Sequence, residues 1–469
     1  MKKISFFLIS FMLLSVLAGA NNILVTNASI SGQNTTNHTA LVNFGVSWEN
    51  SWRTSTNENN YDGGWIFVKF RKNGTSAWRH ATINVTGNTA ASGAAITVPA
   101  DGKGAFIYRS ANGIGNVDFA ANSLQWNYGV DGILDNETVE ILVYGLEMVY
   151  IPTGSYQLGS GGTEAFGFTD GSSANPYLVT SNSAINLGTI AGTLNPNGSG
   201  AASGTIPAIF PKGYNAFWVM KYECSQQQYV DFLNNLDLAR ATINQTPTIF
   251  SGTHPALIAP QPERGIGEIG MNRLAAFADW SGLRPMSELE YEKSCRGYNT
   301  PAVPNEYAWG NTTINQVTSL LNDGATDEIV STPSNANACI SGFLAGNRPV
   351  RVGMFARSSG SDRTLSGATY YGVMNMSDNL HEICISIANA QGKAIDASIH
   401  GDGNLGADGR TDITSWQAFQ AFGVRGSSYN NLLSYGRVSD RTLNNVFTTT
   451  YGSDAAPANF SFRLTRTAP

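Results

Sequence analysis

Residues 283–297, LRPMSELEYEKSCRG, constrain the fold of this chain more than any other stretch. Ser287 followed three residues later by Glu290 is a capping box, in which the hydroxyl and the carboxylate take up free N–H groups at a helix start. Leu289, Glu292, Lys293 and Arg296 extend that helix, and Gly297 is placed to close it.

Other motifs accompany this helix in a definite order. EMVYIPTGSYQLGS (147–160) precedes it, and EYAWGN (306–311), NMSDNLHEI (375–383), VRGSSY (424–429) and FSFRL (460–464) follow. In that order they resemble the formylglycine-generating enzyme family, also called the sulfatase-modifying-factor family. The resemblance covers 147–469 and implies a large variant of the C-type-lectin fold there, hence an α+β protein.

Residues 1–20 carry Lys2 and Lys3, an apolar run over 4–17 and the small residues Ala18, Gly19 and Ala20. This is the pattern of a secretory signal peptide, and the run is too short to span a membrane. No later stretch approaches the roughly 20 apolar residues of a transmembrane helix. The first cysteine is Cys224, so none follows the cleavage site to carry a lipid. The mature chain is expected to be secreted or held at a bacterial cell surface, with the periplasm as another location.

The length of 469 residues suggests two or three domains. Charged residues make up only 13% and glycine 50 positions, which favours short strands, turns and long loops over helical bundles. A net charge of -6 gives no general attraction for nucleic acid or anionic membrane. Four cysteines do not make a disulfide framework in such a chain, although one or two bridges after export stay open.

Residues 21–146 read as a separate β-sandwich. Alternation recurs in ALVNFGVSW (40–48), GWIFVKF (64–70), AFIYRS (105–110) and VEILVYGL (139–146), with turn residues between. Trp48, Trp52, Trp65, Trp78 and Trp126 are read mainly as core, with a carbohydrate-stacking platform as the alternative. No polar spacer separates this region from the next, so the two are expected to pack together.

Beyond 147, residues 160–206 read as a Gly, Ser and Asn-rich loop without a recognisable site. A helix opens at Ser225 with Tyr229, Phe232, Leu233 and Leu236 as its apolar stripe, and another over 272–281 turns Leu274, Phe277, Ala278 and Trp280 inward. Both are scaffold. The GSG and GDG runs, including 400–403, read as turns because no phosphate-binding lysine accompanies them.

The resemblance implies a structural calcium loop at 375–382, with side-chain ligands from Asn375 and Glu382 and backbone oxygens from Asp378 and Leu380. Hard oxygens on a tight turn suit calcium, which takes six to eight of them. Asn375 as a turn cap and Glu382 as an ion-pair partner is the competing reading. A second calcium position would draw on Asn322.

The family's oxidase uses two cysteines after its RGGS motif to bind copper, paired thiolates being soft ligands that select Cu(I). In this chain the motif runs over 425–429, and the two positions fall on Asn431 and Gly436. Neither supplies a thiolate, so no copper and no catalytic residue is expected. Cys224, Cys295, Cys339 and Cys384 lie elsewhere and read as small buried hydrophobes. His38, His80, His254, His381 and His400 show no paired metal spacing, and His381 reads as a packing substitution for the family's tryptophan.

These features imply a binding or structural protein on an inactive family domain. Its ligand face is expected at Tyr429, Asn430, Asn431, Tyr435, Arg437 and Arg441, with Ser439 and Asp440, for a surface glycan, another exported protein or copies of itself. Two further readings are a family oxidase with altered chemistry and a ligand-binding variable protein of a diversity-generating retroelement. Arg425, Arg437, Arg441 and Arg463 as internal salt-bridge partners is the competing view of the arginines, given more weight for Arg425 and Arg463 than for Arg437 and Arg441.

Overall fold

The computed structural model describes residues 23–73, 77–198, 204–246, 249–298, 300–356, 362–451 and 457–469. The leader read at 1–20 lies outside them. The chain is α+β, with a large antiparallel sheet. In spatial order its main path runs Leu24–Asn34, Thr39–Arg53, Tyr61–Lys72, Val139–Ile151, Phe217–Met220, Leu464–Thr467 and Arg284–Pro285. Gly113–Trp126 pairs with Thr39–Arg53, and Ala105–Arg109 with Tyr61–Lys72.

The strand Val139–Ile151 joins the two regions. All of it but Ile151 pairs with Tyr61–Lys72, from Lys72 opposite Val139 to Tyr61 opposite Tyr150. Its last four residues also pair with Phe217–Met220 on the other side. Position 146 therefore falls inside a strand, with Leu146 opposite Trp65, and the sheet runs through it unbroken.

Alternation in these strands sends side chains to two apolar clusters. Val42, Phe44, Trp48, Phe70 and Trp126 belong to a core whose buried members, among the described residues, all precede 134, with half-buried Val139, Ile141 and Val143 packed against it. Trp65, Phe67 and Phe106 join a second core with Trp218, Phe277 and Trp280. At that junction the rings of Phe106 and Trp218 stack with centroids 4.3 Å apart, and Phe67 meets Trp280 edge-on at 5.0 Å. Such pairs add about 0.5–1.5 kcal/mol beyond burial. Polar bonds cross the same junction: Trp65 Nε1 donates to Ser281 O at 2.8 Å, and Lys69 Nζ to Trp280 O at 2.6 Å.

Residues 160–206 do not form a featureless loop. Thr169–Asp170, Leu194–Asn195, Ile185–Leu187 and Gly204–Ile206 make a small sheet, and Phe168, Ile185, Leu194 and Ile206 enter the second core. Enough apolar residues recur in this segment to hold it on the body.

The capping-box helix spans Glu288–Cys295, with both reciprocal bonds of Ser287 and Glu290 formed. It ends at Arg296, one residue before Gly297, because Arg296 is already extended. Each of its glutamates faces a guanidinium. Glu290 bonds Arg284 at 2.6 Å, Glu292 bonds Arg425 at 2.5 Å and also Arg296, and Glu288 bonds Arg441 at 2.8 Å. All these side chains are buried, so the helix anchors the C-terminal loop from within.

Candidate functional site

The loop over 375–382 turns tightly because Asn375 and Asn379 sit in the left-handed region, at φ 60° and 67°, which asparagine tolerates better than most residues. It leads into the strand His381–Ile385, which pairs with Phe422–Arg425 and places Glu382 opposite Arg425. The carboxyl of Glu382 is fully buried, with Arg463 Nε at 2.7 Å and Nη2 at 2.5 Å from Oε1. Arg463 also donates to the carbonyls of Met220 and Met374, so it holds three segments together.

Two more buried carboxyls stand near Glu382. Asp378 accepts the Cys339 N–H at 2.7 Å, and burial raises its pKa to about 7. Glu223 accepts the Leu380 N–H at 2.9 Å and a bond from the Asn379 amide, and burial pushes it well above the usual carboxylate range. Glu223 was not singled out from sequence. Its only signal is an acidic residue three positions after the end of the apolar strand FWVM.

These groups are hard oxygen donors of the kind calcium takes, but among the described residues the acidic trio whose oxygens gather within 4.8 Å of one another is Asp279, Asp402 and Asp412, not Glu223, Asp378 and Glu382. Three carboxyls face the single guanidinium of Arg463, and Glu382 Oε2 is buried without a hydrogen-bond partner. Asn375 Oδ1 accepts the Gly353 N–H at 2.9 Å and Asp378 O accepts the Leu380 N–H at 2.9 Å. Each such oxygen keeps a second lone pair for a metal. Asn322 is differently placed: it is exposed and bonds Asp327 at 2.8 Å, while the adjacent Asp323 is paired with Arg264 and Arg348.

At the positions marked for copper thiolates, Asn431 Nδ2 donates to His381 Nε2 at 3.0 Å. His381 Nδ1 lies 2.7 Å from Gly426 O, so that nitrogen carries the proton. Burial lowers the His381 pKa to about 4, and the ring is neutral at physiological pH. Gly436 is buried, and a β-carbon there would press into the Ser377 carbonyl oxygen. The four cysteines are free, buried and scattered, and burial raises every thiol above its ordinary pKa. None of them is poised as a thiolate.

The expected ligand face is only partly a surface. Asn430 is exposed, and Asn431, Tyr435 and Arg437 are half-buried. Tyr435 lies beside His381, with ring centroids 6.4 Å apart, and Arg437 donates to Asn305 Oδ1 at 3.1 Å. Tyr429 packs in the core with Leu344 and Leu380, and Ser439 and Asp440 are buried. Arg441 is fully buried: it pairs with Glu288, donates to the carbonyls of Phe166 and Pro196, and stacks 3.9 Å from the centre of the Phe168 ring. Tyr429 and Arg441 are therefore structural, because apolar and acidic partners distant in sequence cover them. Arg425 and Arg463 are likewise internal ion-pair partners.

Among the described residues, no helix is long and apolar enough to cross a membrane. No curated protein matches the chain. Residues 143–468 match the family described as the sulfatase-modifying factor enzyme 1-like domain. The match begins in the strand that joins the two regions and includes the capped helix, the 375–382 loop and the C-terminal loop, so the chain belongs to the sulfatase-modifying factor, or formylglycine-generating enzyme, family.

Proposed function

We propose that this chain is an exported cell-surface or extracellular protein that uses its family domain to bind a macromolecular partner, without the family's oxidase chemistry. One observation carries this reading: Asn431 bonds a neutral His381 where the resemblance marks one thiolate, and the other position is a glycine with no room for a side chain. What is left there is a polar surface of Asn430, Asn431, Tyr435 and Arg437. Tyr and Arg are typical binding anchors, and amides adapt their hydrogen bonds to a partner.

Calcium in this reading is structural, held by Asn375, Asp378, Leu380 and Glu382. It would offset the excess buried negative charge and fix the turn that carries His381. The frame is a C-type-lectin-like domain over 147–469 with a β-sandwich before it, and the partner is a surface glycan, an exported protein or a second copy. A glycan array and a pull-down from the native cell surface, run with wild type and an Asn431→Ala, Tyr435→Ala, Arg437→Ala triple variant, test the face. The expected result is at least a tenfold loss of binding in the folded variant. Equal binding would remove the partner from this face.

A further inference from the structure

Between the first region and the 369–374 loop lies a cleft of about 490 Å³, inside the range of small-molecule sites. It shares no residue with the face around Asn431. Trp48, Trp65 and Trp126 are buried in cores, and Trp78 is covered by Arg71, with the guanidinium 4.5 Å from its ring centre. Trp52 is half-buried like Trp78, but it alone of the five lines this cleft.

The Trp52 ring is fixed from several directions. Its Nε1 donates to Asn60 Oδ1 at 3.1 Å, and Asn60 in turn donates to Tyr371 O at 2.8 Å. Its edge rests on Gly372, at φ +86°, where a β-carbon would lie 2.7 Å from the ring. The Lys221 ammonium stands 5.0 Å from its centre. Tyr370, half-buried, supplies a second aromatic surface, braced edge-on by Tyr371 at 5.0 Å, with the Arg363 guanidinium over one face at 5.7 Å from the ring centre. Asn50, Glu58 and Arg363 add planar polar groups to the lining.

The charges of the lining balance. Lys221 is answered by Asp62 at 3.2 Å and Glu147 at 3.0 Å, so it offers no free cation to an anionic ligand. Glu58 and Arg363 are of opposite sign. Fixed aromatic surfaces suit the C–H faces of a sugar ring, while amide, carboxylate and guanidinium groups suit its hydroxyls as donors and acceptors. We propose that this cleft is a binding site for a neutral saccharide, with Trp52 and Tyr370 as stacking surfaces and Asn50, Glu58 and Arg363 as hydroxyl partners.

Saturation-transfer NMR on the full chain tests this with the methyl glycosides of glucose, galactose, mannose and N-acetylglucosamine, and with galacturonate as the acidic arm. The expected result is binding of at least one neutral glycoside with a Kd of about 1 mM or tighter. Tyr370→Ala and Glu58→Gln each weaken it by about tenfold or more. These positions are partly exposed, so the variants are expected to fold, and an unchanged melting profile checks this. No neutral glycoside bound, galacturonate bound alone, or equal affinity in the folded variants would each overturn the proposal.

Discussion

Asn431 Nδ2 lies 3.0 Å from His381 Nε2, at the position that the resemblance assigns to a metal-binding thiolate. With the His381 ring neutral and its Nδ1–H donated to Gly426 O, the pair is a satisfied hydrogen-bond chain.

Restoring two cysteines should not restore the copper site. In Asn431→Cys, Gly436→Cys the second side chain meets the Ser377 carbonyl, and overpacking of this kind costs about 1–3 kcal/mol. The expected outcome is a lowered melting temperature and no stoichiometric Cu(I) binding in a competition assay with a Cu(I) chelator. Tight one-to-one Cu(I) binding would show that the thiolate geometry persists.

Calcium should be retained after dialysis and should stabilise the fold. A ligand that binds only the native state at 100 times its Kd adds about 2.7 kcal/mol. Chelator should therefore lower the melting temperature of wild type but not of Glu382→Gln. Metal analysis showing no calcium, together with a chelator-insensitive melt, would remove the site.

Arg437 and Arg441 should behave oppositely. Arg441→Ala leaves Glu288 buried with a weakened partner set, and breaking such a pair costs about 3–5 kcal/mol. Arg437→Ala removes a half-exposed side chain and should change stability by no more than about 0.5 kcal/mol while weakening partner binding. Denaturant unfolding of both variants distinguishes them.

The difference between these two arginines marks what was legible in the sequence. Local signals were: the capping box of Ser287 and Glu290 forms as read, and Tyr229, Phe232, Leu233 and Leu236 form a buried stripe. Motif order identified the family. The burial of Arg441 depends on Glu288, 153 residues away, and that of Tyr429 on Leu380 and Leu344, so both look like surface residues in a polar segment. Glu223 was illegible for the same reason, since its partners Asn379 and Leu380 come from a distant loop. The continuity of the sheet through 146 was hidden because alternation marks a strand but not its neighbours.

Asp279 should make stability depend on pH. It is buried, accepts bonds from Thr411 Oγ at 2.6 Å and Asp402 N at 3.1 Å, and burial raises its pKa to about 7. A carboxyl whose folded pKa exceeds its unfolded value favours the folded state while protonated, so its contribution declines as pH rises from about 4 to about 7. Asp279→Asn should flatten that decline by on the order of 2–4 kcal/mol. Parallel pH profiles of wild type and variant would contradict the assignment.

The most direct test of the central claim is turnover. Purified full-length chain, loaded with copper and supplied with oxygen and a cysteine-containing peptide, is assayed by mass spectrometry for conversion of the peptide thiol to an aldehyde and by an oxygen electrode for consumption. The account expects neither above the metal-only background. Conversion above background that is abolished by replacing Cys295 or Cys384 would contradict it and make the domain an oxidase with relocated thiols.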